Sequence, residues 1–256
     1  MQQSGNKIKS QNPTNQRKKL IFNFEERISD SPFVERIWRT QSERAGSFIS
    51  IAVSHWEMVV TSQKGMTYLT VRGPETKASL APIPEAAEFL GITFRYGIFM
   101  PHLPARNLVD GVVDLPDASS KSFWLDGSAW QFPNYENADT FVDRLVHQEM
   151  LVRDPIVASV LRGKSQELSL RSVQRHFLQA AGLTQGSIRQ IERARHATIL
   201  LQQGISILDT VELAGYSDQA HLTRTLKHLI GKTPAQIINK SEPEQMSLLF
   251  KTEPFR

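Results

Sequence analysis

The sequence contains no cysteine. That excludes disulfides, thiolate zinc sites, iron–sulfur clusters and cysteine nucleophiles. It has no apolar run approaching the ~20 residues that span a bilayer, so no membrane partner is expected. The first twenty residues, MQQSGNKIKSQNPTNQRKKL, are basic and polar and lack the apolar core of a secretory signal. A soluble cytoplasmic protein is the expectation. A glycine-rich phosphate loop, a G-x-S-x-G elbow and an H-E-x-x-H pair are also missing, so the first expectation is a protein that is not an enzyme and holds no cofactor.

What is present is ample material for a core. Of 256 residues, 40% are hydrophobic and 22% charged, which suits one or two globular domains. The net charge of +4 is unevenly spread. Residues 1–150 carry 16 Lys/Arg against 17 Asp/Glu, whereas residues 151–240 carry 12 against 6. A basic block beside a near-neutral one is what a nucleic-acid module beside a second domain would look like, although solvated basic helices look the same.

Hydropathy patterning divides the chain. Residues 1–20 read as a disordered basic tail. Residues 21–133 read as β-rich: Phe48–Val53, Glu57–Thr61, Met66–Val71 and Phe89–Phe99 are short runs separated by Gly and Pro, suggesting a small sandwich or barrel. Near Asn134 the period changes. Phe141, Leu145, Val146 and Met150 recur at helical steps, with Asn137 as the expected cap and Asp139 in the first turn. Residues 134–240 are expected to form a helical domain. Residues 241–256 form a tail with an apolar knot (Met246, Leu248, Leu249, Phe250), suited to docking on its own N-terminal domain or on a partner. The fold class is α+β.

Within the helical block, Asp154-Pro155 opens a short helix and Ser169 caps SLRSVQRHFLQAAG, which Gly182 ends. A longer helix runs from about Gln185 to Gln203. Then ILDTVELA, Gly215, Tyr216 and a segment starting near Gln219 spell helix, tight turn, helix. Ser217 or Asp218 can cap the second of these helices. In such a motif the second helix enters the DNA major groove, where Gln suits adenine and Arg suits guanine.

Residues A-G-Y-S-D-Q-A-H-L-T-R-T-L-K followed by G-K-T-P-A-Q resemble the second helix-turn-helix of the AraC/XylS family of transcriptional regulators. S-L-R-S-V-Q-R-H-F-L-Q-A-A-G-L-T resembles that family's first recognition helix, and R-Q-I-E-R-A-R-H-A with Leu200-Leu201 resembles its connecting helix. The likeness covers roughly residues 154–238. It implies two helices in successive major grooves of double-stranded DNA. Carried over by position, the base-facing residues would be Arg171, Gln174 and Arg175, then Gln219, His221 and Arg224, with Thr223 and Lys227 on phosphates. One departure is the polar stretch KSQEL between Gly163 and Ser169, longer than an ordinary helix-turn-helix turn. Without cysteine, the alkyl transfer of some relatives is excluded.

In the N-terminal half, H-W-E-M-V-V, V-R-G-P-E-T-K-A, E-F-L-G-I-T-F-R-Y-G and L-V-D-G-V-V-D-L resemble the cupin-like sensor domains of the family. That resemblance implies a small-molecule effector or homodimerisation as the role of this half. Two rivals stand beside it. His55 and Glu57 share a strand face and, with His102, could hold a metal in a β-barrel enzyme; the chain could also be a protein-interaction module without specific DNA binding. Trp38, Trp56, Tyr68, Phe94 and Tyr96 could line a ligand pocket or simply fill the core.

Overall fold

The computed structural model describes residues 22–164 and 167–239. Both expected tails, 1–20 and 241–256, lie outside the described residues. The β-rich half is built from β1 (Phe22–Arg27), β2 (Val34–Ser42), β3 (Gly46–Ser50), β4 (Glu57–Gln63), β5 (Met66–Arg72), β6 (Ser79–Ile83), β7 (Ala87–Phe94), β8 (Ile98–Phe99), β9 (Val112–Asp114), β10 (Asp117–Ser119), β11 (Ser122–Leu125) and β12 (Ser128–Gln131). The helices are α1 (Ala138–His147), α2 (Pro155–Leu161), α3 (Leu170–Ala181), α4 (Gln185–Gln202), α5 (Ile207–Leu213), α6 (Gln219–Leu229) and α7 (Pro234–Ile238), with a short β13 (Val152–Arg153) between α1 and α2.

Six strands make one antiparallel sheet in the order β1-β2-β7-β4-β5-β9. Local chemistry sets the register of the β4–β5 hairpin. Lys64 and Gly65 both have positive φ, the geometry of a two-residue turn that matches strand twist. Side-chain alternation then gives the sheet two faces. Ile37, Met58, Val60, Leu69, Val71, Leu90, Ile92 and Phe94 fall in one core with Phe123, Leu125 and Trp130 of the three-stranded sheet β10-β11-β12. The opposite face carries Trp38, Thr40, Glu57, Val59, Thr61, Tyr68, Thr70, Arg72 and Phe89, which line a cavity together with residues of the two-stranded sheet β3–β6. Trp38 lies across Gly91, its register partner on β7. A Cβ on Gly91 would sit 2.0 Å from the indole, so no other residue fits there without displacing the ring.

The aromatic residues therefore divide. Trp56 and Phe94 stack at 4.1 Å in the first core, Tyr96 belongs to the second core, and Trp38 and Tyr68 face the cavity.

The change from strand to helix falls where the periodicity changes, but α1 packs with the strands. Its Phe141, Val142 and Leu145 enter the first core. Asn137 occupies the N-cap position without capping: its Oδ1 accepts from the Asn134 amide instead. Asp139 is drawn to β1, accepting from Arg27 at 2.6 Å and from Ser29 at 2.5 Å.

After α1 the chain pairs β13 with β8 and then turns helical. The second core is common to both halves. Phe177, Ile188, Ile191, Leu201, Leu222 and Leu226 from the helices pack with Ile51, Ala52, Tyr96 and Phe99 from the β-rich half. Among the described residues, no helix is long and apolar enough to cross a membrane.

Candidate nucleic-acid interface

Each helix of this region starts where the sequence places a cap. Asp154 accepts from the Ile156 amide, Ser169 from Ser172, Thr184 from Ser187, Ser206 from Asp209, Asp218 from His221 and Thr233 from Gln236. Of the two candidates at the start of α6, Asp218 provides the cap, while Ser217 Oγ donates to Asp218 and lies 3.1 Å from His221 Nδ1. That amide bond from His221 is the leading reason the Asp218 carboxyl lies below its usual range.

Burial orients the two candidate reading helices. On α3, Phe177, Ala180 and Ala181 are buried, leaving Arg171, Gln174 and Arg175 exposed. Gln179 is exposed too, one turn beyond Arg175; its i+4 spacing was the available signal, and no motif singled it out. On α6, Leu222, Leu226 and Leu229 are buried, and Gln219, Ala220, Arg224 and Lys227 are exposed. Arg171, Gln174, Arg175, Gln219 and Arg224 make no side-chain hydrogen bond or ion pair among the described residues. Lys227 Nζ donates to the Gly231 carbonyl at 3.3 Å. Thr223 and His221 are half-buried, and the His221 ring meets the Tyr216 ring edge-on at 5.1 Å. His221 thus has a structural partner that a purely outward reader would lack.

The connecting helix α4 uses its charges differently. Arg193 lies over the Tyr216 ring at 4.5 Å and donates to the Gly215 carbonyl at 3.3 Å, which ties the α5–α6 turn to α4. Arg195 is buried against Glu192. Glu192 also accepts from Ser54 Oγ at 2.7 Å and Tyr96 Oη at 3.1 Å, both in the β-rich half. Burial alone would push the Glu192 carboxyl up. The Arg195 charge and the two hydroxyls outweigh it and hold the carboxyl below its usual range.

Both candidate reading helices meet the β-rich half at their C-terminal ends. The last carbonyls of a helix have no partner within it. In α6, those of His228 and Leu229 accept from the backbone amides of Ala78 at 2.8 Å and Ala52 at 2.7 Å. In α3, Gly182 closes the helix with positive φ, and its Cα faces Ala105 so closely that a Cβ would lie 2.8 Å from that residue's backbone. His176 Nδ1 also sits 2.5 Å from Asp154 Oδ2.

The amides that hold α6 adjoin the cavity. Val53 and Glu75 line it and form an isolated bridge with both N–H···O distances at 2.9 Å. Ala52 precedes one, and Ala78 lies three residues beyond the other. The β3–β6 sheet also has two sides: Phe48, Ser50 and Ala81 face the cavity, while Ile49 packs on the helical core.

The rival metal site is not assembled. The His55 ring packs on Tyr96 at 4.0 Å, Glu57 accepts from Trp38 and Thr93, and His102 is at the surface, 3.6 Å from Asp126. Among the described residues no three His, Cys, Asp or Glu side chains converge to hold a metal ion.

Residues 164–240 match the family model described as a helix-turn-helix domain. The match supports a DNA-binding transcriptional regulator of the AraC type and leaves the β-rich half unassigned. No curated protein and no solved structure matches the chain.

Proposed function

We propose that this chain is a sequence-specific transcriptional regulator in which α3 and α6 enter successive major grooves of double-stranded DNA while the β-rich half senses a small-molecule effector. The observation that carries the reading is the bare outward face of each helix. Arg171, Gln174 and Arg175 on one, and Gln219 and Arg224 on the other, are exposed donors and acceptors without a protein partner among the described residues. Arg and Gln are the side chains that read guanine and adenine edges bidentately. Thr223 and Lys227 would contact phosphates, with His221 reading at the edge of the α6 face. The sensing role is supported by a cavity of about 570 Å³, within the size range of small-molecule sites, whose wall residues adjoin the amides that hold α6.

The test is selection of bound duplexes from a random pool by the full chain, followed by footprinting. Two protected half-sites about one helical turn apart are expected. Failure to enrich any sequence overturns DNA reading. Enrichment of a single half-site removes the two-helix geometry.

A further inference from the structure

Three features of the cavity stand together. The first is charge. Glu57 and Glu75 line it with side chains only 14% and 19% exposed. Arg72, the one Arg or Lys among the lining residues, lies 3.9 Å from Glu57 Oε1 and 3.6 Å from Glu75 Oε1, and Arg36, outside the lining, also interacts with Glu57. One guanidinium is thus shared loosely by two sheltered carboxylates, and Asp114 at the rim adds a third acid. His55 does not offset them, because burial keeps its imidazole neutral. Burial likewise pushes the Glu75 carboxyl up, against the opposing effects of Ser50 and Arg72.

The second feature is the aromatic wall: Trp38, Phe48, Tyr68 and Phe89. Aromatic faces attract desolvated cations. The third is a pair of orphaned polar atoms. Among the described residues Thr40 Oγ1 and His55 Nε2 are buried without a hydrogen-bond partner, and both residues line this cavity. Buried polar atoms are rarely left unsatisfied, and these two sit in the wall of the cavity.

We infer that the cavity is a binding site for an amphipathic organic cation, an amine or quaternary ammonium joined to an apolar or aromatic body. The carboxylates and aromatic faces hold the charged head, and the apolar wall of Val59, Ile83 and Phe89 takes the body. A carboxylate ligand would meet three acids and one guanidinium in the lining. A neutral ligand would leave the excess charge uncompensated. The inference rests on the sensor reading of the β-rich half and adds the chemistry of its ligand.

The experiment is calorimetric titration of the full chain with phenethylamine and benzyltrimethylammonium, set against the matched neutral phenethyl alcohol and the anion phenylacetate. The two cations are expected to bind, and the neutral and anionic probes at least tenfold more weakly. Glu75→Gln should weaken the cations about tenfold, in line with loss of a charge-assisted contact. Arg72→Gln should tighten them, because it frees a carboxylate. An anion site would show the opposite signs for these two variants. Glu57→Gln, with its fold checked by circular dichroism, serves as a second acid variant. Absence of cation binding, preference for phenylacetate or phenethyl alcohol, or Arg72→Gln weakening the cations each overturns the inference. The sensor reading fails separately: cations bind as expected, yet saturating ligand leaves the affinity for the selected duplex unchanged.

Discussion

At the scale of single residues, exposure and partnership separate the proposed reading side chains from those that hold the fold. Arg224 is bare, whereas Lys227 already leans on the Gly231 carbonyl. Arg224→Ala should therefore relax base preference at one position of the selected site, costing about 1–3 kcal/mol there. Lys227→Ala should weaken all duplexes alike and lower the slope of log affinity against log salt by about 1. Selections with both variants at two salt concentrations check this, and unchanged preference for Arg224→Ala would contradict its assignment. His55 gives a prediction independent of DNA. Burial lowers its pKa from 6.5 to about 3, with the Glu192 carboxylate opposing that shift and Arg195 adding to it. Between those values the unfolded chain binds a proton that the folded chain excludes. Stability must therefore fall as pH drops through this window, by up to about 1.4 kcal/mol per pH unit. Glu192, held below its usual range, adds a loss in the same direction at the acidic end. Urea midpoints should be lower at pH 5 than at pH 7, and His55→Phe should narrow the gap. A higher midpoint at pH 5 would refute the assignment of a neutral buried imidazole.

At the scale of elements, what was legible in the sequence depended on how local the cause was. The starts of α2, α3 and α6 and the stop at Gly182 could be read directly, because a cap and its amide lie two or three residues apart. Asn137 misled because two nearby turns compete for one side chain, and the Asn134 amide takes it. The ILDTVELA segment is helical as expected, yet its Leu208 is 70% exposed and Thr210 is the buried residue of α5. The cavity was hidden for a different reason. Alternation places Glu57, Val59 and Thr61 on one face, but the opposing wall comes from β3 and β6, a pairing across some thirty residues that no local pattern reports. Trp38 against Gly91 belongs to the same class of long-range facts. Gly91→Ala should displace the indole and destabilise the fold by about 1–3 kcal/mol, with a lowered melting temperature and altered tryptophan emission. A melting temperature and emission equal to the parent's would show that the indole is not confined there.

At the scale of the whole molecule, the two halves share a core, so they should melt together. Ile51, Ala52, Tyr96 and Phe99 are buried among Phe177, Ile188 and Leu222, and Ser54 and Tyr96 hydrogen-bond Glu192 across the boundary. Heating the intact chain should give one transition by both far-ultraviolet dichroism and tryptophan fluorescence. The helical half produced alone, from residue 150 to 239, should melt earlier and bind a hydrophobic dye, because those four residues no longer cover its core. Two separated transitions in the intact chain would show that the halves fold independently.

The backbone bonds from Ala52 and Ala78 to the end of α6 carry a consequence for how such a chain can change over generations. Every residue but proline carries a backbone N–H, so this attachment survives substitution of Ala52 or Ala78 by any residue that keeps the local backbone. It does not survive transplantation. Grafting the helical half onto a foreign domain would leave the His228 and Leu229 carbonyls without these amides and expose an apolar seam. Any exchange of one half for another would have to rebuild this seam, whereas point changes on the outer faces of α3 and α6 leave it intact.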